Sequence, residues 1–128
     1  MGTTVPLRFL IIDDNEAVRM ILSDMLVDLG HQVVGEAEDS KSALAAYEAH
    51  KPDLVTLDLS LSAVGGGDGL SVLKALRQAN AGVKVIVISG NSQKRVIEQL
   101  EKDGAAAFVP KPIKEEDLAA AVAWATRL

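Results

Sequence analysis

Cysteine is absent from the 128 residues. That removes disulfides, thiolate metal sites and cysteine nucleophiles, and it fits a reducing compartment. Aromatic residues make up only 3%, so the core must be built from Val, Ile, Leu and Ala, the usual filling of α/β layers. No apolar run approaches the roughly 20 residues that cross a bilayer. The opening MGTTVPLR lacks the basic start and apolar stretch of a secretion signal. A cytoplasmic location without membrane contact is therefore expected. Positive charge is also short: the net charge is -5, whereas a nucleic-acid surface needs clustered Lys and Arg, so no direct nucleic-acid binding is expected. Internal repeats, linkers and low-complexity segments are missing too, which leaves no seam for a second domain.

What is present is an ordinary globular composition, 48% hydrophobic and 24% charged, enough for one domain over residues 1–128 with a core that needs no staples. LRFLII (Leu7–Ile12) reads as a buried strand ending in Asp13-Asp14. Val18, Ile21, Leu22, Met25, Leu26 and Leu29 then recur with helical spacing, and Gly30 follows the last of them. QVVGEA (Gln32–Ala37) is a second strand, and Ser40 is placed to cap a helix running to about His50. Pro52 blocks its continuation. Leu54–Leu57 are apolar or β-branched without a break, as in a strand buried on both faces, and run into Asp58.

A loop containing Gly65-Gly66-Gly67 leads to a helix from about Asp68 with Leu70, Leu73 and Leu76 inward. VKVIVIS (Val83–Ser89) is the fourth strand. Ser92 is placed to cap a helix through Val96, Ile97 and Leu100, stopped by Asp103-Gly104. AAAFVP is a weaker fifth strand, followed by Lys111-Pro112. The last helix carries Glu115, Glu116 and Asp117 in its first turn, where the helix dipole favours acids, and Leu118, Ala121, Val122 and Ala125 as its buried stripe. His31 and His50 are expected on the surface, and Trp124 partly buried at the flank of the last helix.

Alternating strands and helices imply an α/β fold with parallel strands, right-handed crossovers and helices on both faces of one sheet. Such a sheet presents all its strand ends at one edge, where ligands bind. Asp13, Asp14, Asp58, Ser89 and Lys111 would converge there. Three carboxylates together repel, so some must take protons or the site must hold a cation. All-oxygen ligands of high charge favour Mg²⁺.

These positions, in this order and context, resemble the receiver domain of two-component response regulators, including the single-domain chemotaxis type, and the likeness covers essentially the whole chain. The resemblance implies a flavodoxin-like, doubly wound five-stranded parallel sheet of order 2-1-3-4-5. It implies that Asp58 accepts a phosphoryl group from a histidine kinase or phosphotransfer protein, and that Asp13, Asp14, Asp58 and the backbone carbonyl of Ser60 hold Mg²⁺. Lys111 would pair with the phosphoryl oxygens, Ser89 would swing towards them, and Ser60 and Asn91 would influence hydrolysis. Phe108 matches the switch aromatic that alters the face formed by the fourth helix, fifth strand and fifth helix. As Phe it has no hydroxyl, so switching would rest on packing. A signalling domain is expected, with slow self-dephosphorylation and no turnover of a substrate.

Three departures or special positions remain. Leu61-Ser62 replaces the family's common Met-Pro, and the glycine run adds about three residues, a length change loops tolerate cheaply. Pro110 suits only a strand end or an edge strand. The family pattern implies a cis Lys111–Pro112 bond that would aim Lys111 into the site. A receiver-like interaction module not regulated by phosphorylation would be expected to lose one of the five positions. A haloacid dehalogenase-type hydrolase needs a second Asp two residues after its nucleophile, where this chain has Ser60. A dinucleotide-binding fold needs a glycine-rich turn where Asp13-Asp14-Asn15-Glu16 stand.

Overall fold

A computed structural model describes residues 5–60, 69–91 and 93–127. Its elements alternate as expected: β1 (Arg8–Ile12), α1 (Glu16–Asp28), β2 (Gln32–Ala37), α2 (Ser40–His50), β3 (Leu54–Asp58), α3 (Gly69–Ala79), β4 (Val85–Ser89), α4 (Lys94–Lys102), β5 (Ala107–Pro110) and α5 (Glu115–Ala125). The strands form one parallel sheet in the order β2-β1-β3-β4-β5. This is the doubly wound, flavodoxin-like topology expected from the sequence. Among the described residues, no helix is long and apolar enough to cross a membrane.

Alternation along the strands builds two apolar layers. Leu10, Ile12, Val55, Leu57, Val85 and Val87 face α2, α3 and α4, while Phe9, Ile11, Leu54, Ile86, Ile88 and Val109 face α1 and α5. Every residue of β3 and of β4 is buried, which fixes these central strands and hence the position of whatever follows them.

Helix ends are set by local chemistry. Asn15 caps α1, its side chain accepting from the Val18 amide. Asp39 caps α2 in a capping box with Ser42, so the cap lies one residue before Ser40, whose own position is already helical. The expected Ser92 cap lies outside the described residues, and α4 begins after Gln93 without a side-chain cap bond. Two Schellman motifs close α1 and α4. Gly30 and Gly104, at φ 92° and 98°, donate to Val27 and Glu101, and the next amides, His31 and Ala105, donate to Leu26 and Leu100. Ala105 is thereby spent on the helix end, which is why β5 starts later than the apolar run suggests.

Three expectations about burial are corrected. His31 is buried, because the Schellman turn folds that position back on the layer. Its Nδ1 accepts from the Leu7 amide at 3.2 Å, and its ring lies 5.2 Å from that of Phe9. Ile21 is 49% exposed: α1 meets the sheet along Leu22 and Leu26, and Ile21 lies at the flank. Trp124 is 57% exposed, roughly 110° around α5 from the centre of its buried stripe at 100° per residue. The Arg127 guanidinium covers one side of its ring, 3.5 Å from the centroid.

Two stability predictions arise. Thr56 is fully buried and its hydroxyl has no partner among the described residues. Thr56→Val is thus expected to stabilise the domain by about 1 kcal/mol in urea unfolding, because it removes an unpaid desolvation, whereas destabilisation would mean that the hydroxyl is bonded. Burial lowers the His31 pKa below 6.5, and protonation would also displace the Leu7 amide. The stability this group contributes is fully present above 6.5 and is lost as pH falls through its lower folded value. The thermal midpoint of His31→Gln should therefore fall less between pH 7.5 and pH 5 than that of the parent.

Candidate functional site

β1 and β3 are adjacent and in register, Ile12 opposite Leu57, so the residues following them emerge side by side. One oxygen each from Asp13, Asp14 and Asp58 lies within 4.8 Å of the others. Asp13 and Asp58 are buried, whereas Asp14 is exposed. The sheet thus brings together the three carboxylates singled out from the sequence.

Asp13 is held on several sides. Its N–H donates to the Ala37 carbonyl at 3.0 Å, its Oδ1 accepts from the Asn15 amide at 2.8 Å, and its carbonyl accepts from Arg19 Nη1 at 2.7 Å. Oδ2 is buried with no hydrogen-bond partner among the described residues. Burial first, then the Asp58 and Asp14 carboxylates, push the pKa up to about 6 against the opposing pull of the Asn15 amide and Lys111. A buried carboxylate with one unpartnered oxygen, grouped with two more carboxylates, fits a hard cation that takes oxygen ligands.

Asp58 Oδ1 collects three donors: the Ser60 amide at 3.0 Å, the Ser60 hydroxyl at 2.9 Å and Lys111 Nζ at 3.2 Å. Lys111 follows β5, two strands away, and its backbone amide is pinned to the Ser89 carbonyl at 3.0 Å. Asp58 is 3% and the Lys111 side chain 31% exposed, so the ion pair is screened little on one side and open to a ligand on the other. The Lys111–Pro112 bond is cis, and Pro110 closes the edge strand opposite Ser89, where no ladder donor is required.

Ser89 is buried at the end of β4. Its hydroxyl accepts from the Asn91 amide at 3.0 Å, so it is engaged in its own turn. Phe108 is half-buried against the layer of α2, α3 and α4. It lines a groove of about 750 Å³ with Leu100, Ala121 and Trp124, away from the carboxylates. The Gly65–Gly67 loop, Leu61-Ser62 and the Asp68 start of the helix lie outside the described residues.

The sequence reading did not single out two residues that shape the site. A Cβ on Gly69 would come 2.6 Å from the Leu59 carbonyl oxygen and 2.8 Å from that of Asp58, so glycine there lets α3 start against the site's backbone. Arg19, which grips the Asp13 carbonyl, was detectable only as a cation near a helix N-terminus, where acids are favoured.

Comparisons with known proteins agree with this geometry. The chain is 35% identical over 115 residues to the chemotaxis protein CheY of Bacillus subtilis, spanning 90% of this chain and 93% of that protein. It is 36% identical over 118 residues to the transcriptional regulatory protein PdtaR of Mycobacterium tuberculosis, spanning 92% of this chain but 56% of the relative. Among solved structures, a CheX–CheY–BeF₃–Mg²⁺ complex from Borrelia burgdorferi aligns with a TM-score of 0.86 at 25% identity, covering 93% of this chain and 88% of that one. NtrX of Brucella abortus aligns at 0.85 and 31%, covering 94% of this chain and 27% of that one. The profile of the response regulator receiver domain matches residues 9–123, and with these relatives it shows that the chain belongs to the response regulator receiver domain family.

Proposed function

We propose that this domain is a phosphorylation-driven switch in which Asp58 takes a phosphoryl group from a phosphohistidine on a histidine kinase or phosphotransfer protein. The observation that carries this reading is the Asp58–Lys111 pair set beside two further carboxylates. A nucleophile, a cation-binding cluster and a counter-charge meet at one point. An oxygen of Asp58 attacks phosphorus, the P–N bond breaks, and the imidazole leaves with its electron pair and takes up a proton.

Phosphoryl transfer asks a protein chiefly to position groups and to neutralise the equatorial oxygens. Asp13, Asp14, Asp58 and the Ser60 carbonyl would hold Mg²⁺, which supplies positive charge to those oxygens. Lys111 moves its pairing from the Asp58 carboxylate to a phosphoryl oxygen. Ser89 leaves the Asn91 amide and donates its hydroxyl to another. Phe108 then repacks, and the groove between α4 and α5 changes shape for an output protein. Hydrolysis of the acyl phosphate, tuned by Ser60 and Asn91 at the mouth, resets the domain, so its role is signalling and not turnover. The relative described with Mg²⁺ and BeF₃ supports this reading, as does the near-complete match to chemotaxis CheY.

Incubation with Mg²⁺ and acetyl phosphate should add one phosphoryl group by mass, and Asp58→Asn should abolish the addition. An unmodified parent, or modification that survives the substitution, refutes the reading. A second measurement concerns the charge cluster. Asp13→Asn removes a desolvated charge repelled by two others, so in EDTA its thermal midpoint should rise by several degrees, about 1 kcal/mol. The further rise that Mg²⁺ gives the parent should disappear.

A further inference from the structure

Arg19 is a cation where the helix dipole disfavours one. It is the fourth residue of α1, yet its side chain is only 15% exposed and pairs with Glu36 at 3.0 Å. The same guanidinium donates through Nη1 to the Asp13 carbonyl at 2.7 Å. With that bond made, every polar group of Asp13 except Oδ2 has a partner among the described residues: the N–H on Ala37, the carbonyl on Arg19 and Oδ1 on Asn15. Ala37 and Glu36 both belong to the end of β2, so one strand clamps the Asp13 peptide from both sides, once directly and once through Arg19.

We propose that Arg19 is a positioning residue for the divalent-cation site. By gripping the Asp13 carbonyl it fixes the rotation of that peptide. With Oδ1 tied to Asn15, the one uncommitted oxygen is then presented to Asp14 and Asp58. This rests on the reading of the three carboxylates as a Mg²⁺ site. It adds that the affinity of the site is set partly from β2, through a residue that does not touch the ion.

The sign of the effect separates positioning from simple electrostatics. A positive charge beside a cation site repels the cation, so removing it should tighten Mg²⁺ binding if charge were all that mattered. Loss of an orienting bond does the opposite, and outer-shell partners of metal ligands typically contribute about 10- to 100-fold in affinity. A merely structural tether would lower the thermal midpoint and leave the affinity of the folded domain unchanged.

The test is calorimetric titration of Mg²⁺ into the metal-free chain and into Arg19→Met, Arg19→Lys and Glu36→Gln, with thermal midpoints in EDTA. Arg19→Met should bind Mg²⁺ about tenfold more weakly or worse while remaining folded. Arg19→Lys, which keeps the charge but cannot serve both acceptors, should lie between it and the parent. Glu36→Gln, which leaves the Asp13 carbonyl bond in place, should lose least. Affinity in Arg19→Met equal to or tighter than the parent overturns the proposal. If that variant does not fold, Arg19→Lys decides, and parental affinity there overturns it equally. No Mg²⁺ binding by the parent would instead overturn the cation-site reading itself.

Discussion

The constraint on which the rest depends is the gathering of like charge at the end of a buried sheet. At an effective dielectric of about 20, two carboxylates about 5 Å apart repel by roughly 3 kcal/mol, and Asp13 is raised to about 6 by burial and its acidic neighbours. Lys111 answers one of the charges through Asp58, and Arg19 is itself balanced by Glu36. Water screens this repulsion little at Asp13 and Asp58, which are almost inaccessible, and more at the exposed Asp14. The cluster is thus a cost that the apolar layers must carry, and in the proposed function a bound cation would relieve it.

Those layers carry it by leaving the strand ends no freedom. β3 and β4 are buried on both faces, so Asp58 and Ser89 cannot retreat by shifting register without exposing a whole row of Val, Ile and Leu. Close packing makes such shifts expensive. The start of α3 adds to this by resting on the Leu59 backbone where only glycine fits. The donors on Asp58 come from its own turn and from the far side of β4, so the site exists only when the complete parallel sheet does.

Much of this was legible in the sequence because it depended on periodicity and on strand ends. Unbroken apolar or β-branched runs at 54–57 and 85–88 pointed to buried strands, and in a parallel sheet acids, a hydroxyl and a lysine that follow such strands must share an edge. What was not legible turned on direction. His31 reads as a polar residue at a helix end until a Schellman turn folds it inward. Ile21 belongs to the apolar pattern but lies at its flank, and Trp124, expected at a flank, is more exposed there than expected, since a helix touches a sheet along a narrower line than its stripe. Arg19 showed only as a misplaced cation in the first turn of a helix, because its partner at the site is a backbone carbonyl, which leaves no mark in the side-chain pattern.

The connection from charge to surface is short and covalent. Lys111 pairs with Asp58, its amide is bonded to the Ser89 carbonyl, and Phe108 stands three residues before it, on the edge strand β5 that Lys111 follows. Proximity alone does not make a switch, which needs an element with two arrangements that the site can bias. In the proposed switch Phe108 would be that element. Val109 is completely buried and locked between β4 and α5. Phe108 is half-buried beside a groove of about 750 Å³ with room for an aromatic ring. In the proposed switch, a ring that is neither fixed in the core nor free in solvent can be moved by small changes in the pairing of Lys111 and Ser89, with packing as the only interaction that has to be exchanged.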